Sequence, residues 1–292
     1  MATNFERVRS VIEALLPAAQ NNIQNGGDVD TFVQQRLAML SSAYGGGMLN
    51  SDRPAIDYSK LTTHIAYAYR SLAAHGDWLH KMLCQQTSAV KRTLDVPSPH
   101  VACIGGGPGS DILGVIKFAR QWGLGDRTFR FTILDHHPQW WRCRDELVST
   151  FDDQPPITHT HQDLDLSAGS PWTDDWQFCS ADLFTLSFCL SEVWSFNAQG
   201  SVSGFLDQVI SGAKAGALFC YLDNGGSNFS SRIDAEMCKR NDLVTLLDEE
   251  HGHMVMSYSE RADVVKIPFQ ARFGGQWPKL KGEVATKIWK KK

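Results

Sequence analysis

Long hydrophobic runs are missing from this chain. The longest, residues 183–190, falls well short of the ~20 apolar residues that a membrane-crossing helix needs, so no membrane span is expected. The mean hydropathy of −0.25 agrees. Charge of one sign is also missing: 28 Lys and Arg stand against 32 Asp and Glu, a net charge of −4. A protein that coats nucleic acid through bulk charge is therefore disfavoured. The seven cysteines include no C-x-x-C pair, and several lie in apolar runs where a thiol behaves as a small hydrophobe. A reducing, cytoplasmic compartment fits that usage. The first ten residues lack a basic stretch followed by an apolar core and a small-residue cleavage site, so a secretory signal is not expected. No internal repeat or low-complexity tract is visible.

What is present suffices for a substantial core. With 42% hydrophobic residues in 292, the chain has the size of about two domains, or one domain with a large extension. Over residues 4–40 the apolar positions Phe5, Val8, Val11, Ile12, Leu15 and Leu16, then Phe32, Val33, Leu37 and Leu40, recur at three- and four-residue spacing. Two amphipathic helices follow, split at Asn25-Gly26-Gly27. Residues 45–54 read as a flexible connection, and 59–90 as a third helical stretch closed by Pro97 and Pro99.

After Pro99 the pattern becomes short apolar runs alternating with helical segments. Strands are expected at 101–104, 129–134, 157–161, 183–190, 217–222 and 254–258, with a final pair at 266–273 and 284–289. Helices are expected at 110–122, 138–151, 201–213 and 230–250. Such alternation argues an α/β fold with a largely parallel sheet covered on both faces. The division expected is a helical region over residues 1–95, serving as lid and substrate region, and an α/β domain over 96–292.

The informative segment is Val101-Ala102-Cys103-Ile104-Gly105-Gly106-Gly107-Pro108-Gly109-Ser110-Asp111, a strand that breaks into glycines and then begins a helix. Residues without a Cβ let a ligand approach the backbone, and the helix start offers unpaired N–H groups. A phosphate-binding Walker loop would end in Gly-Lys-Ser/Thr, but the first lysine after the glycines is Lys117. The dinucleotide fingerprint would place glycine three positions after Gly107, where Ser110 stands.

The G-x-G-x-G formed by Gly105, Gly107 and Gly109 resembles the first motif of the class I S-adenosylmethionine-dependent methyltransferases, whose loop wraps the methionine part of the cofactor. Thirty residues beyond Gly105, Asp135 ends an apolar run and resembles the family's second-strand acid, which accepts from both ribose hydroxyls. It would also cap the helix starting near Pro138, and the two roles are compatible. Residues 157–163 resemble the third-strand motif, with Asp163 as the acid for the adenine amine and Asp165 as its alternate. Residues 182–193 resemble the fourth motif, which implies Ser187, Phe188 and Leu190 near the sulfonium, with Ser191, Glu192 and Trp194 opening toward substrate.

The resemblance also has gaps. Many members carry an acid two residues before the first glycine, where this chain has Cys103; Asp111 is the substitute expected to orient the methionine amine. Together the matches imply a Rossmann-like methyltransferase sheet of seven strands, mostly parallel with the last antiparallel, bound to S-adenosylmethionine through Gly105, Gly106, Gly107, Gly109, Asp111, Asp135, His136, Asp163, Ser187, Phe188 and Leu190. They cover the C-terminal two thirds and say little of residues 1–95.

Methyl transfer from a sulfonium is an in-line displacement with a neutral leaving group, so placement in a dry pocket supplies much of the acceleration. A base is needed only when the acceptor must lose a proton early. Candidates for that role are Glu192, beyond the fourth strand, and His136, with His137, His64, His75 and His80 as further histidines that also serve as structural residues. The pairs His159/His161 and His251/His253 lack the further ligands of a metal site, so no metal is expected. Trp140, Trp141 and Arg142 either shield adenine or form a partner surface, with core packing expected for at least one Trp. Tyr67, Tyr69 and Arg70, near His75 and Trp78, resemble in position the helical lids of small-molecule methyltransferases and are the expected substrate-binding residues, packing in the core being the alternative.

The expected function is methyl transfer to N or O of a small molecule. RNA is the alternative acceptor, contacted through the basic edge of Lys279, Lys281, Lys287 and Lys290 to Lys292. A non-catalytic partner subunit of the same fold is a third reading. The residues leave oligomeric state open.

Overall fold

The structure is a computed structural model, and it describes residues 2–23, 26–45, 56–151, 155–168, 172–195, 199–225 and 228–292. The helices α1 (Asn4–Asn21), α2 (Val29–Gly45), α3 (Leu61–Tyr67), α4 (Ala73–Gln85) and α5 (Thr87–Leu94) precede the first strand. Then come β1 (His100–Ile104), α6 (Ser110–Gln121), β2 (Phe129–Leu134), α7 (Trp141–Ser149), β3 (Ile157–Gln162) and β4 (Leu183–Ser187). The chain finishes through α8 (Leu190–Ser195), α9 (Gln199–Gly212), β5 (Leu218–Asn224), α10 (Asn228–Met237), β6 (Leu243–Val255), α11 (Asp263–Gln270) and β7 (Lys281–Lys291).

The strands form one seven-stranded sheet in the order β3-β2-β1-β4-β5-β7-β6. The first five are parallel, while β7 runs antiparallel to both its neighbours. That is the Rossmann-like methyltransferase fold, as the resemblance implied. Side chains alternate across β1: Ala102 and Ile104 join the core beneath α9, with Val202, Phe205 and Val209. Val101 and Cys103 join the core on the other face, with Ile112, Val115 and Ile116 of α6. No helix among the described residues is long and apolar enough to cross a membrane.

The N-terminal helices are built into this packing. Trp78, Leu79, Met82 and Leu83 of α4 share a core with β1, β2 and α6. Phe5, Val8, Val11 and Ile12 of α1 pack with Cys143 and Leu147 of α7. A buried carboxylate cluster reinforces the join: Lys117 of α6 bonds Asp77 of α4 at 2.5 Å and also Glu260, whose other oxygen accepts from the Asn4 backbone N–H. The division at 95/96 thus crosses continuous cores.

Several expected elements differ. The stretch 59–90 is not one helix: residues Ala68–Leu72 form a π-helical turn between α3 and α4, and Gln86 separates α4 from α5. The strand expected over 183–190 stops at Ser187; Phe188 takes a left-handed φ of 55° and α8 begins at Leu190. The helix expected over 230–250 is α10 followed by β6, and the strand expected over 266–273 is helix α11, whose Val265 and Phe269 are buried one turn apart. The segment 138–151 opens as a tight turn, Pro138–Trp140, before α7. Asn25 and most of 45–54 lie outside the described residues; Gly45 ends α2.

Candidate functional site

Strand register assembles the site. Ile104 of β1 lies level with Leu134 of β2 and Leu186 of β4, so three parallel strands end along one edge, where the sheet order reverses direction. Such an edge is where open α/β sheets hold ligands. A cleft with about 190 Å³ of water-accessible space opens there, between the segments leaving β1, β2, β3 and β4 and the N-terminal helices.

The glycine loop forms its floor. Gly105, Gly107 and Gly109 adopt φ of 66°, 37° and 95°, a region that other residues rarely enter. At Gly105 there is a second requirement, because a Cβ would overlap the Cβ of Cys189. At Gly107 a Cβ would project between Asp135 Oδ2 and the Trp140 ring, so the missing side chain is part of the cleft. The loop is supported from below by Arg144, whose buried guanidinium donates to the Gly107 carbonyl at 2.9 Å.

Asp135 faces the loop. Its Oδ2 accepts from Gly107 N–H at 2.9 Å and its Oδ1 from His137 N–H at 2.8 Å. Burial raises its carboxyl above the usual range, and these hydrogen bonds and the nearby His137 oppose the rise. Each oxygen keeps a further acceptor position, so the group suits a vicinal diol. His136 and His137 also line the cleft; His136 is largely exposed, 3.7 Å from both Asp163 and Asp165.

After β3 the cleft is lined by Leu164, Asp165, Leu166 and Ser167. Asp163, favoured from sequence, has a side chain 77% exposed and does not line it; its alternate Asp165 does. An Asx turn explains the difference, since Asp165 Oδ1 accepts from Ser167 N–H at 2.8 Å and Oγ at 2.6 Å and so draws Asp165 inward. Despite desolvation, those bonds hold its carboxyl below the usual range.

The end of β4 contributes Ser187, Phe188 and Cys189, then Glu192 from the first turn of α8. Tyr44 and Tyr58 share a 2.7 Å hydroxyl pair and point their hydroxyls toward Glu192 at 3.4 and 3.5 Å. Several expected contacts are one layer back. Asp111 is fully buried and accepts from Ser187 Oγ at 2.5 Å; burial pushes its carboxyl up to about 6. It therefore positions a cleft-lining hydroxyl without lining the cleft itself. Leu190 and Trp194 belong to the core, Trp194 stacked on Phe229, and Ser191 is turned onto Asp223 through its N–H and Oγ.

Among the lid residues, Tyr67 lines the cleft, whereas Tyr69 points away and donates to the Gln276 carbonyl at 2.6 Å. Arg70 lies at a second, smaller cavity on the far side of Tyr67 and Phe188, which border both. His75 stacks on Phe188 at 3.7 Å, and burial keeps its ring neutral by lowering its pKa well below the usual value. Of the other histidines, His64 stacks on Trp140 and bonds the Tyr58 carbonyl, and His80 bonds Gln121. His159 pairs with Asp145 and His251 with Glu283.

Sequence reasoning missed Tyr58, Arg144 and Asp223, and it placed Lys279 on a basic edge, whereas the residue lines the second cavity. No local pattern marked them, because each is placed by tertiary packing.

No protein-family model matches the sequence, and no curated protein matches it. Among solved structures, the chain is similar to the plantazolicin methyltransferase in complex with S-adenosylhomocysteine, at 12% identity over 90% of this chain and 98% of that one, TM-score 0.43. It is also similar to a proposed class I S-adenosylmethionine-dependent methyltransferase from Listeria monocytogenes, at 9% identity over 98% and 88%, TM-score 0.43. A third is the precorrin-6y C5,15-methyltransferase from Geobacter metallireducens, at 12% identity over 71% and 88%, TM-score 0.39. The strand order found in this chain gives it the architecture of the class I S-adenosylmethionine-dependent methyltransferases.

Proposed function

We propose that the chain is an S-adenosylmethionine-dependent methyltransferase that methylates N or O of a small molecule. One observation carries the reading: a single cleft at the sheet's switch point gathers the Gly107 backbone, the Asp135 carboxylate, Asp165 and Phe188. The residues fit the donor. Asp135 would accept from the ribose hydroxyls, Asp165 in place of Asp163 from the adenine amine, and Trp140 with Leu164 and Leu166 would enclose the base. When bound, the donor would supply an electrophilic methyl group whose leaving group is a neutral thioether.

The chain's own part is placement and exclusion of water. Tyr58 and Tyr67 cover the cleft, and Phe188 is held by its N–H bond to the Leu222 carbonyl at 2.8 Å. Where an acceptor must give up a proton, Glu192 and His136 at the cleft are the groups to receive it.

The lysines weigh against RNA. Lys287 is fully buried between Asp234 and Asp248, Lys291 pairs with Asp242, and Lys279 lies in the second cavity. Half of the basic edge is thereby withdrawn from phosphate contact. Incubation with labelled S-adenosylmethionine and separated metabolite and RNA fractions tests the reading. Label is expected in metabolites; label in RNA would replace the acceptor class, and failure to bind the donor would overturn the activity.

A further inference from the structure

The second cavity has about 100 Å³ of water-accessible space and lies beyond the partition made by Tyr67 and Phe188. Arg70 reaches it from the π-helical turn, while its neighbour Tyr69 is buried in the N-terminal core against Phe273. Lys279 reaches it from the segment before β7, and its backbone N–H donates to the Arg70 carbonyl at 2.7 Å, which ties the two residues together. The Lys279 ammonium lies 5.0 Å from the Trp78 ring centre and 5.1 Å from that of Phe188. Among the described residues neither cation forms an ion pair, and no carboxylate lines the cavity.

We propose, resting on the reading of the neighbouring cleft as the donor site, that this cavity is the acceptor subsite and that Arg70 and Lys279 receive an anionic group of the substrate, a carboxylate or a phosphate. Two cations largely withdrawn from water are unfavourable when the one carboxylate acting on Lys279, Asp223, is engaged with Ser191 and Asn224 and does not line the cavity, and neighbouring aromatic faces offset only part of that. Burial, with the Arg70 charge added, pushes the Lys279 amine down to about 8, and the Asp223 carboxylate only partly opposes the shift. Desolvation likewise lowers the Arg70 guanidinium. An incoming anion supplies the missing charge, and a guanidinium fork matches carboxylate or phosphate oxygens. The donor's own carboxylate has another place to go: Ser110 lines the cleft at the N-terminus of α6, a helix of 12 residues. Asn224 and Ser71 add polar lining, so the cavity selects a charged end while the rest of the acceptor extends toward Phe188.

Calorimetry on the full chain tests this, using benzoate, phenyl phosphate and the neutral benzamide, each with and without saturating S-adenosylhomocysteine. One of the anions is expected to bind about tenfold or more tightly than benzamide with S-adenosylhomocysteine present, and the better one identifies the group. Lys279→Met and Arg70→Met should each lose about tenfold in anion affinity while keeping S-adenosylhomocysteine affinity within about twofold, which also shows that they fold. The proposal is overturned if neither anion surpasses benzamide, or if both variants bind the anion as the wild type does. It is equally overturned if S-adenosylhomocysteine excludes the anions and the variants lose affinity for it, since the cations would then serve the donor's carboxylate. Should the wild type bind an anion through Lys279 but not bind S-adenosylhomocysteine, the donor reading fails and the anion site stands.

Discussion

At the scale of single residues, the partly buried Asp135 and the fully buried Asp111 differ in what they face. Asp135 opens on the cleft, so Asp135→Ala should weaken S-adenosylhomocysteine binding by about ten- to a hundredfold, the loss expected for hydrogen bonds to a charged group. Unchanged affinity by calorimetry would remove the ribose assignment. Asp111 faces only Ser187 and the protein interior, and its influence is on stability. With its carboxyl at about 6 in the folded state against 3.8 as the ordinary value, the folded chain binds more protons between those limits. Its contribution is therefore most favourable below about pH 4 and falls as pH rises to 6, by on the order of 3 kcal/mol at most. Asp111→Asn keeps an oxygen for Ser187 and removes the charge. Urea unfolding should show the variant gaining on the wild type between pH 4 and pH 7; a constant difference across that range would contradict the raised pKa.

At the scale of elements, the strand ends set the geometry and the helices hold it. Lys117 joins α6 to α4 and, through Glu260 and Asn4, to the start of α1. Lys117→Met leaves Asp77 facing only Lys81 and Ser257, so a loss of about 3 kcal/mol is expected, the scale for removing one partner of a buried pair. A loss of unfolding free energy of only about 0–1 kcal/mol by urea titration, the worth of a surface pair, would show that the cluster does not tie these helices together. How legible each element was in the sequence follows from its neighbours. β1, β2 and β3 read correctly because each stands between clear turn signals. β6 did not, because as an edge strand it exposes many of its residues, and its Asp248, Glu249 and Glu250 read as a charged helix face. The apolar run 183–190 concealed the break at Phe188, since nothing in residue type announces a left-handed phenylalanine. At the cleft, Gly105 and Gly107 were legible because their backbone geometry demands glycine locally, and Asp135 because it resembles the family's second-strand acid. The choice of Asp165 over Asp163 depended on a turn formed by Ser167, and Lys279 on contacts across the whole chain.

At the scale of the molecule, the N-terminal helices are the part least accessible to sequence reading and most entangled with the rest. Their periodicity announced amphipathic faces without saying what those faces cover. α4 covers the sheet directly: Trp78, Leu79, Met82 and Leu83 are all but fully buried against the same core as Val101, Cys103 and Ile116. Gly76 and Gly114 mark how close α4 and α6 come, since a Cβ at Gly114 would meet the Gly76 carbonyl oxygen at 2.8 Å. Removing residues 1–95 would expose these apolar surfaces together with α7, which α1 covers, and four large side chains alone represent roughly 6–12 kcal/mol of burial. That is comparable to the whole stability of a typical domain. A chain of residues 96–292 is therefore expected to be insoluble or to lack a cooperative thermal transition, whereas a lid merely resting on a complete domain would leave a folded, donor-binding remainder. A cooperative melt of 96–292 with S-adenosylhomocysteine affinity intact would show that the helices are an appendage. The outcome expected here is the opposite, because the same N-terminal region carries Tyr58, Tyr67, Arg70 and His75 to the two cavities, and it can do so only while its helices are packed on the sheet.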